Sequence, residues 1–287
     1  MSEATIDATN VFGPLSDFID DPTVEEIWIN SPDEVFVYEN SQKKKLNLQL
    51  TSLSVRQMVE RMLRDSGRRL DRSEPFVDST LSTPLGQRPL DFGVDIVLHS
   101  ATKGIGGHND ALLGVIAGEK DLIDAVWAYS VMHGASPSPH DALNALRGLR
   151  TLGVRLQHQN TSALTIARSL ESHAKVVSVQ HPFLESHAQH ELARRQMRFG
   201  GTVFALELDG DLETCEAFVS KLRIAHIATS FGGPETLVCH PATSTHVGLP
   251  PSELESLGVT AGLLRFSIGL EDADDLVDDI HQALASI

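Results

Sequence analysis

The N-terminal part of the chain alternates apolar and polar positions in two short stretches. Residues 26 to 30 and 34 to 38 alternate with the period of a β-strand, and the Asn-Ser-Pro-Asp sequence between them is typical of a turn. This pattern predicts a β-hairpin. Apolar residues at helical spacing predict an amphipathic helix near residues 15 to 19 and a second helix over residues 54 to 65.

A continuous apolar run follows in the middle of the chain. Residues 94 to 98 are β-branched and apolar, which predicts a buried parallel strand, and a polar segment with Ser100, Thr102 and Lys103 follows where that strand should end. Ligands of open α/β sheets gather at the carboxyl ends of strands. The pattern therefore indicates a candidate site after this strand.

The second half of the chain alternates strand and helix patterns. A helix is predicted over residues 119 to 129, a break at 134 to 140, and one long helix over 141 to 171. Strands are then predicted at 176 to 181, 202 to 208, 224 to 229 and 263 to 268, with helices at 211 to 222 and 272 to 287. This alternation is typical of an α+β domain, whose start we predict near Asn160.

Composition narrows the class of protein. The 287 residues are 41% hydrophobic and 22% charged, as in ordinary soluble globular proteins of about two domains. The net charge of −16 argues against a nucleic-acid partner, and we interpret the lysine run 43 to 45 as a solvated hairpin turn. Two cysteines without C-x-x-C spacing, no apolar run of membrane-spanning length and no signal-peptide pattern predict a cytoplasmic protein without a membrane partner.

Lys103 is the candidate that organises the chemistry. Taken alone, a lysine in a loop after a strand simply reaches solvent. It is accompanied, however, by the sequence Asp-Ser-Thr at residues 78 to 80 and by the hydroxyls of Ser100 and Thr102. The segments VDSTLSTP, QRPL, DIVLHSATK and GGHND resemble, in this order, the central block of the Cys/Met-metabolism family of pyridoxal-phosphate enzymes, the cystathionine synthases and lyases.

The resemblance implies a role for each matching residue. Lys103 would form a Schiff base with pyridoxal 5'-phosphate, and Asp78 would pair with the pyridine nitrogen. Ser100 and Thr102 would donate hydrogen bonds to the phosphate, and Thr80 would lie beside the ring. The implied fold is α/β: part of a fold-type I large domain with a mostly parallel sheet, followed by an α+β small domain.

Two C-terminal segments, TSFGGPETLV and LLRFSIGLED, extend the resemblance. Arg265 lies in an apolar strand, where a planar guanidinium suits bidentate capture of a carboxylate. By the resemblance it would hold the substrate α-carboxylate, assisted by Ser230. The alternative is an ion pair with Glu271 or Asp272. No metal site is expected, because the histidines 181, 187 and 190 have no fourth ligand spaced nearby.

The amino-acid sequences of these motifs look most like those of the cystathionine γ-synthase branch. That branch implies γ-replacement of an activated homoserine ester by cysteine, small amino-acid substrates, and a tetramer built from dimeric active units. The lyase and sulfhydrylase branches use the same core residues, so the branch stays open. One departure is Gly104, where the family commonly has an aromatic residue, and this is expected to loosen the pocket wall.

The first part of the chain resembles a different family. DPTVEEIWINSPDEVFV and GRRLDRSEPFVD are similar to the N-terminal domain of secretion and pilus-assembly ATPases, but no GxxxxGK[ST] phosphate loop follows. We therefore predict a fusion with four parts: a flexible tail (1–10), an ATPase-like α+β module (11–77), a truncated cofactor-binding large domain (78–160) and a small domain (161–287). The alternative function is a non-catalytic fusion whose modules act only as interaction surfaces.

Overall fold

The computed structural model describes residues 15, 18, 21, 23–31, 34–39, 42–46, 48 and 76–287. The chain divides into two units, Met1–Pro75 and Phe76–Ile287. The predicted tail and the predicted helix over residues 54 to 65 lie outside the described residues, as does most of the segment 15 to 19.

The N-terminal unit contains an antiparallel sheet of three strands, in the order β1-β2-β3. The predicted hairpin is confirmed, because β1 pairs with β2 in antiparallel register. The lysine run is not a turn, however. It lies in β3, which pairs with β2 and is an outer strand of the sheet as far as the described residues show, a position that suits lysine side chains. The strand bounds are β1 Val24–Ser31, β2 Glu34–Glu39 and β3 Gln42–Leu46.

The second unit begins with a three-stranded sheet that carries the candidate site. Its strands are β4 Phe76–Asp78, β5 Ile96–Ser100 and β6 Gly114–Gly118. β4 and β5 are parallel, whereas β6 is antiparallel to β5. The strand predicted at 94 to 98 starts two residues later, because Gly93 ends the preceding 3-10 turn with a left-handed φ of 86°.

The same part of the unit contains four α-helices: α1 Thr83–Gly86, α2 Lys120–Met132, α3 Pro139–Leu149 and α4 Leu152–Leu170. The single long helix predicted over 141 to 171 is wrong, since α3 and α4 are separate. The amides of Arg150 and Thr151 donate to Arg147 and Gly148, which tightens the last turn of α3 and ends it. Asn160 lies within the uninterrupted helix α4, and the domain division there stays a prediction.

The C-terminal part is a five-stranded sheet in the order β7-β8-β11-β10-β9, packed against helices. Inward residues of β8 and β11 form the core with α4, α6 and α8, and Phe204 stacks on Phe266 at 5.3 Å. The short strand β10 was not predicted. The elements are β7 Val176–Gln180, α5 His190–Gln196, β8 Val203–Leu208, α6 Leu212–Val219, β9 His226–Ile227, β10 Leu237–Cys239, α7 Pro251–Ser256, β11 Leu263–Ser267 and α8 Ala273–Ala285.

Apolar side chains remain uncovered on the first part of this unit. Helix α2 buries none of its residues, and Trp127 and Tyr129 are 66% and 65% exposed. Four of the five residues of β6 are exposed as well. Within the described ranges, no helix has the length and apolarity needed to cross a membrane.

Candidate active site

The site begins where the parallel strands β4 and β5 end. Asp78 is the last residue of β4, and Ser100 is the last residue of β5. Thr80 connects them: its hydroxyl donates to Asp78 Oδ1 at 2.5 Å and accepts from the Ser100 amide at 2.8 Å. The Thr80 amide also donates to Asp78 Oδ1, at 2.9 Å. Both bonds from Thr80 to Asp78 therefore go to one carboxylate oxygen, Oδ1.

The loop after β5 folds into consecutive tight turns around Lys103. The Lys103 amide donates to Ser100 O at 3.1 Å, and the Gly107 amide donates to Lys103 O at 2.8 Å. The Thr102 hydroxyl accepts from the Leu113 amide at 3.1 Å and lies 3.4 Å from Leu113 O. The loop backbone is therefore held in place by hydrogen bonds within the protein itself.

The Lys103 side chain points toward a loop from the far end of the unit. Its amine donates to Ser230 Oγ at 2.9 Å and lies 5.1 Å from the centre of the Phe231 ring. Among residues 76–287, no carboxylate lies within ion-pair distance of this amine. A half-buried lysine with a hydroxyl and an aromatic ring as neighbours is suited to covalent chemistry, since no salt bridge has to be broken.

Arg265 comes from β11 and reaches the same loop. Its Nη2 donates to Thr229 O at 2.5 Å and to Ser230 O at 3.2 Å, and its guanidinium carbon lies 5.9 Å from the Phe231 ring centre. The Nε atom is buried and has no hydrogen-bond partner among the described residues. An unpaired buried donor is costly, and an arriving acceptor would remove that cost.

The two acids considered as partners of Arg265 are engaged elsewhere. Glu271 accepts from the amide and hydroxyl of Thr236, both at 2.7 Å. Asp272 caps α8 by accepting from the Asp274 amide at 2.9 Å. The guanidinium is therefore held by backbone carbonyls and not by an ion pair with either acid.

A cleft of about 510 Å³ opens beside the lysine. Asn109 donates to Glu235 at 2.8 Å, and both of these polar residues line the cleft. Its volume is in the range of small-molecule sites. The lining residues are Thr102, Asn109, His226, Ala228, Ser230, Glu235 and Leu237.

Two glycines permit close contacts around the lysine loop, Gly232 with the loop that carries Ser230 and Gly104 with Thr83. A Cβ at Gly232, whose φ is +80°, would lie 2.6 Å from the Gly104 amide nitrogen. A Cβ at Gly104 would lie 3.0 Å from Thr83 Cγ2. Gly104 is buried, and a larger side chain there would have to displace Thr83; the expectation that Gly104 loosens the pocket wall stays a prediction.

Three residues around the site were not identified from the sequence. Phe231 lies within a quoted motif but was not singled out. His99, on β5, is buried next to Asp78, and burial lowers its pKa. Arg155 is buried on α4 and donates to backbone carbonyls of the lysine loop. Only a pattern of charged residues inside apolar helical stretches could have identified it.

The histidines considered for a metal site lie between the end of β7 and the first residue of α5. His181 is buried, and its two ring nitrogens contact backbone groups, Gly201 O at 3.1 Å and the Phe183 amide at 3.2 Å. The amide can only donate, so Nδ1 accepts and Nε2 carries the proton. Burial lowers the pKa of His181, in agreement with a neutral ring.

Comparison with known proteins covers the second unit. Residues 68–285 match the family model of Cys/Met metabolism PLP-dependent enzymes. The chain is 46% identical over 211 residues to cystathionine gamma-synthase 1, chloroplastic, of Arabidopsis thaliana, covering 74% of this chain and 38% of the relative. It is 42% identical over 211 residues to L-methionine gamma-lyase of Treponema denticola, covering 73% and 53%. The chain thus spans about half or less of the length of these relatives.

Solved structures agree with this assignment and confirm the predicted α/β fold. Cystathionine gamma synthase from Xanthomonas oryzae pv. oryzae, in complex with aminoacrylate and cysteine, superposes with a TM-score of 0.72 at 41% identity, covering 74% of this chain and 55% of that one. Cystathionine gamma-lyase from Lactobacillus plantarum, complexed with L-serine, gives 0.70 at 32% identity, covering 74% and 56%. The chain therefore belongs to the family of Cys/Met metabolism PLP-dependent enzymes.

Proposed function

We propose that Lys103 binds pyridoxal phosphate covalently and that the chain acts as a trans-sulfuration enzyme of the cystathionine γ-synthase type. The observation that carries the proposal is the grouping of Lys103, Ser230 and Arg265. Ser230 contacts both the Lys103 amine and Arg265, and the buried Nε of Arg265 has no acceptor in the described part of the chain. Lys103 and Ser230 are 127 residues apart in sequence, so only the fold brings them together. This supports a functional site.

The donor set fits the cofactor. Asp78 keeps one carboxylate oxygen outside its bonds to Thr80, which suits a partner for a pyridinium nitrogen. Ser100 and Thr102 offer hydroxyls for the phosphate, and Thr80 lies between the two strand ends. When bound, pyridoxal phosphate supplies an electron sink for negative charge that develops on the substrate.

The substrate would be an amino acid that enters the cleft beside Lys103. Arg265 would bind its α-carboxylate, since a carboxylate oxygen at Nε would satisfy the unpaired donor. The Lys103 amine would then accept the proton from the substrate α-carbon and return it, and the Ser230 hydroxyl would hold the amine in line for that transfer.

We also propose which reaction of the family the chain catalyses. Replacement of an activated hydroxyl substituent of homoserine by cysteine is supported by the 46% identity to a cystathionine gamma-synthase. Relatives named as lyases match at similar identity, so product analysis has to decide. Formation of cystathionine from the ester and cysteine would indicate a synthase, whereas release of ammonia with no cystathionine formed would indicate a lyase.

The second candidate is a fusion without catalysis, and one observation favours it. Helix α2 and strand β6 leave apolar residues uncovered, as expected if further chain packs there in the longer relatives. These faces also support a homo-oligomer or another partner. For residues 11 to 77 we propose an ATPase-like N-terminal module, supported by the antiparallel sheet β1 to β3; with no phosphate loop in the sequence, we propose no ATP hydrolysis.

An absorption spectrum separates the two functions. The full chain is incubated with pyridoxal phosphate and dialysed, beside Lys103→Ala. The enzyme proposal expects a retained cofactor band in the wild type and none in the variant. Equal bands, or no band in either protein, would support the non-catalytic candidate.

A further inference from the structure

Arg155 is a buried arginine whose guanidinium contacts only uncharged groups in the described part of the chain. It is 6% exposed and lies near the start of α4. Its Nη1 donates to Gly104 O at 3.0 Å, and its Nη2 donates to Ile105 O at 3.2 Å. Both carbonyls belong to the two residues that follow Lys103.

The same guanidinium also binds the junction between α3 and α4. Nη2 donates to Gly148 O at 2.8 Å, and Nε donates to Thr151 Oγ1 at 3.0 Å. One planar group therefore joins the lysine loop to the point where the two helices meet. A lysine ammonium could not reproduce this arrangement, because it lacks the fixed fork of donors.

Two glycines create the space for this link. A Cβ at Gly107, where φ is +65°, would lie 1.8 Å from Arg155 Nη1. A Cβ at Gly148 would lie 2.0 Å from Gly106 O, so α3 meets the loop backbone directly. The loop and the helix junction are thus shaped around the guanidinium at positions far apart in sequence.

Burying a charge without an acid partner is costly, and the cost is visible as a lowered pKa of Arg155 caused by burial. A packed apolar side chain would fill the same volume without that penalty. The feature that distinguishes the arginine is its four hydrogen bonds, two of which fix the carbonyls next to Lys103.

We propose that Arg155 is a positioning residue that fixes the loop carrying Lys103 and thereby aims the lysine amine at Ser230 and the cleft. The inference rests on the proposed function for its catalytic meaning. The positioning itself is a property of the unliganded protein and can be measured without cofactor.

The test compares full-length wild type with Arg155→Lys, Arg155→Met and the control Arg168→Met, all without cofactor. Arg168 is an exposed arginine on the same helix. Hydrogen exchange is followed in peptides covering residues 101 to 107 and in core peptides from β8 and β11. In parallel, acetylation of Lys103 by acetic anhydride is measured by mass spectrometry relative to the exposed Lys221.

We expect both Arg155 variants to exchange the 101 to 107 amides roughly tenfold faster or more, the effect of losing hydrogen bonds to a charged group. Lys103 should become several-fold more reactive relative to Lys221 as it leaves Ser230, by a similar free-energy difference. The core peptides and the Arg168→Met protein should match wild type. If Arg155→Met does not fold, Arg155→Lys decides alone.

Unchanged loop exchange or unchanged Lys103 reactivity in Arg155→Lys would overturn the inference. Equal acceleration in the core peptides would also overturn it, because Arg155 would then stabilise the whole fold. Cofactor uptake by the same proteins is scored separately. A wild type that takes up no cofactor contradicts the proposed function, while the exchange and acetylation results still decide the role of Arg155.

Discussion

Lys103 and Arg265 place two positive groups near one aromatic ring. The Lys103 amine lies 5.1 Å and the Arg265 guanidinium 5.9 Å from the centre of the Phe231 ring. Ser230 contacts both residues, through its hydroxyl and its carbonyl. At the scale of single residues, the loop with Ser230 and Phe231 is thus the element that joins the proposed cofactor lysine to the proposed carboxylate site.

Replacing Ser230 by alanine should weaken the site without unfolding the chain. The change removes the acceptor of the Lys103 amine, and hydrogen bonds to charged groups contribute about 1.5 to 3 kcal/mol. We expect kcat/KM for the amino-acid substrate to fall roughly tenfold or more by the same relation. Steady-state kinetics measures this against Ser220→Ala, an exposed serine on the end of α6. An unchanged kcat/KM in Ser230→Ala would remove Ser230 from the mechanism.

At the scale of elements, α8 is tied to the loop before β9 by one buried carboxylate. Asp279 is 5% exposed and accepts from the amides of Arg223 and Ile224, each at 2.9 Å. Helix α8 also supplies core side chains such as Leu276 and Ile280. The Asp279 carboxylate therefore links the packing of α8 to the position of the segment that leads into β9.

Asp279→Ala should lower the free energy of unfolding by about 2 to 4 kcal/mol, because two backbone N–H groups lose a buried carboxylate acceptor. Urea unfolding followed by far-UV circular dichroism measures the change. Asp278→Ala is the matched control, since that aspartate is exposed on the same helix. Equal stabilities of the two variants would mean that the amides find other acceptors.

The end of β7 should make stability depend on pH through His181. Burial lowers its pKa in the folded chain, so the unfolded chain binds protons more readily. This contribution to stability is complete above the unfolded pKa of about 6.5 and is lost as the pH falls below it. Protonation of Nδ1 would also break its bond with the Phe183 amide.

Denaturant unfolding of wild type and His181→Gln between pH 7.5 and 5 tests this dependence. The wild type should lose more stability than the variant on acidification. His140→Gln, at an exposed position, should behave as wild type does. Parallel pH profiles for all three proteins would show that His181 does not titrate with unfolding.

The sequence predicted elements well where two faces of a strand differ. β8, and β11 over its first four residues, alternate half-buried and buried residues, and both were predicted as strands. β10 has three residues that are all buried, so no period marks it. The break at Thr151 was missed because α3 and α4 continue one apolar pattern, and the end of α3 depends on local turns.

The candidate site was predictable only as a set of motif residues. Lys103, Asp78, Thr80, Ser100, Thr102, Ser230 and Arg265 came from resemblance to the family. The sequence could not show which of these residues are in contact, because Lys103 and Ser230, for example, are 127 residues apart in the chain. Arg155 and Gly104, whose carbonyl it binds, are 51 residues apart in sequence. Their contact depends on glycines, which leave room for the guanidinium, so no local sequence pattern indicates it.

At the scale of the molecule, core and exposed apolar surface are unevenly distributed. The cluster of fully buried side chains joins α4, α6 and α8 to the five-stranded sheet. By contrast, α2 buries no residue, and Met132 at its end is 72% exposed. Exposed apolar area of this kind marks interaction surfaces.

We expect the full chain to associate through this face. Size-exclusion chromatography with light scattering should give a mass above that of the monomer, and the double change Trp127→Glu with Met132→Glu should shift it toward the monomer. Leu257→Glu is the control, because Leu257 is 57% exposed at the end of α7. A monomeric wild type would show that the α2 face is tolerated in water or covered by other means.

Chemical trapping would identify the lysine that carries the cofactor, which we propose is Lys103. The full chain is incubated with pyridoxal phosphate, reduced with borohydride, digested and mapped by mass spectrometry. We expect the cofactor mass on the peptide that contains Lys103, although the chain has seven lysines. Absence of label, or label on exposed lysines such as Lys221 in preference to Lys103, would contradict it.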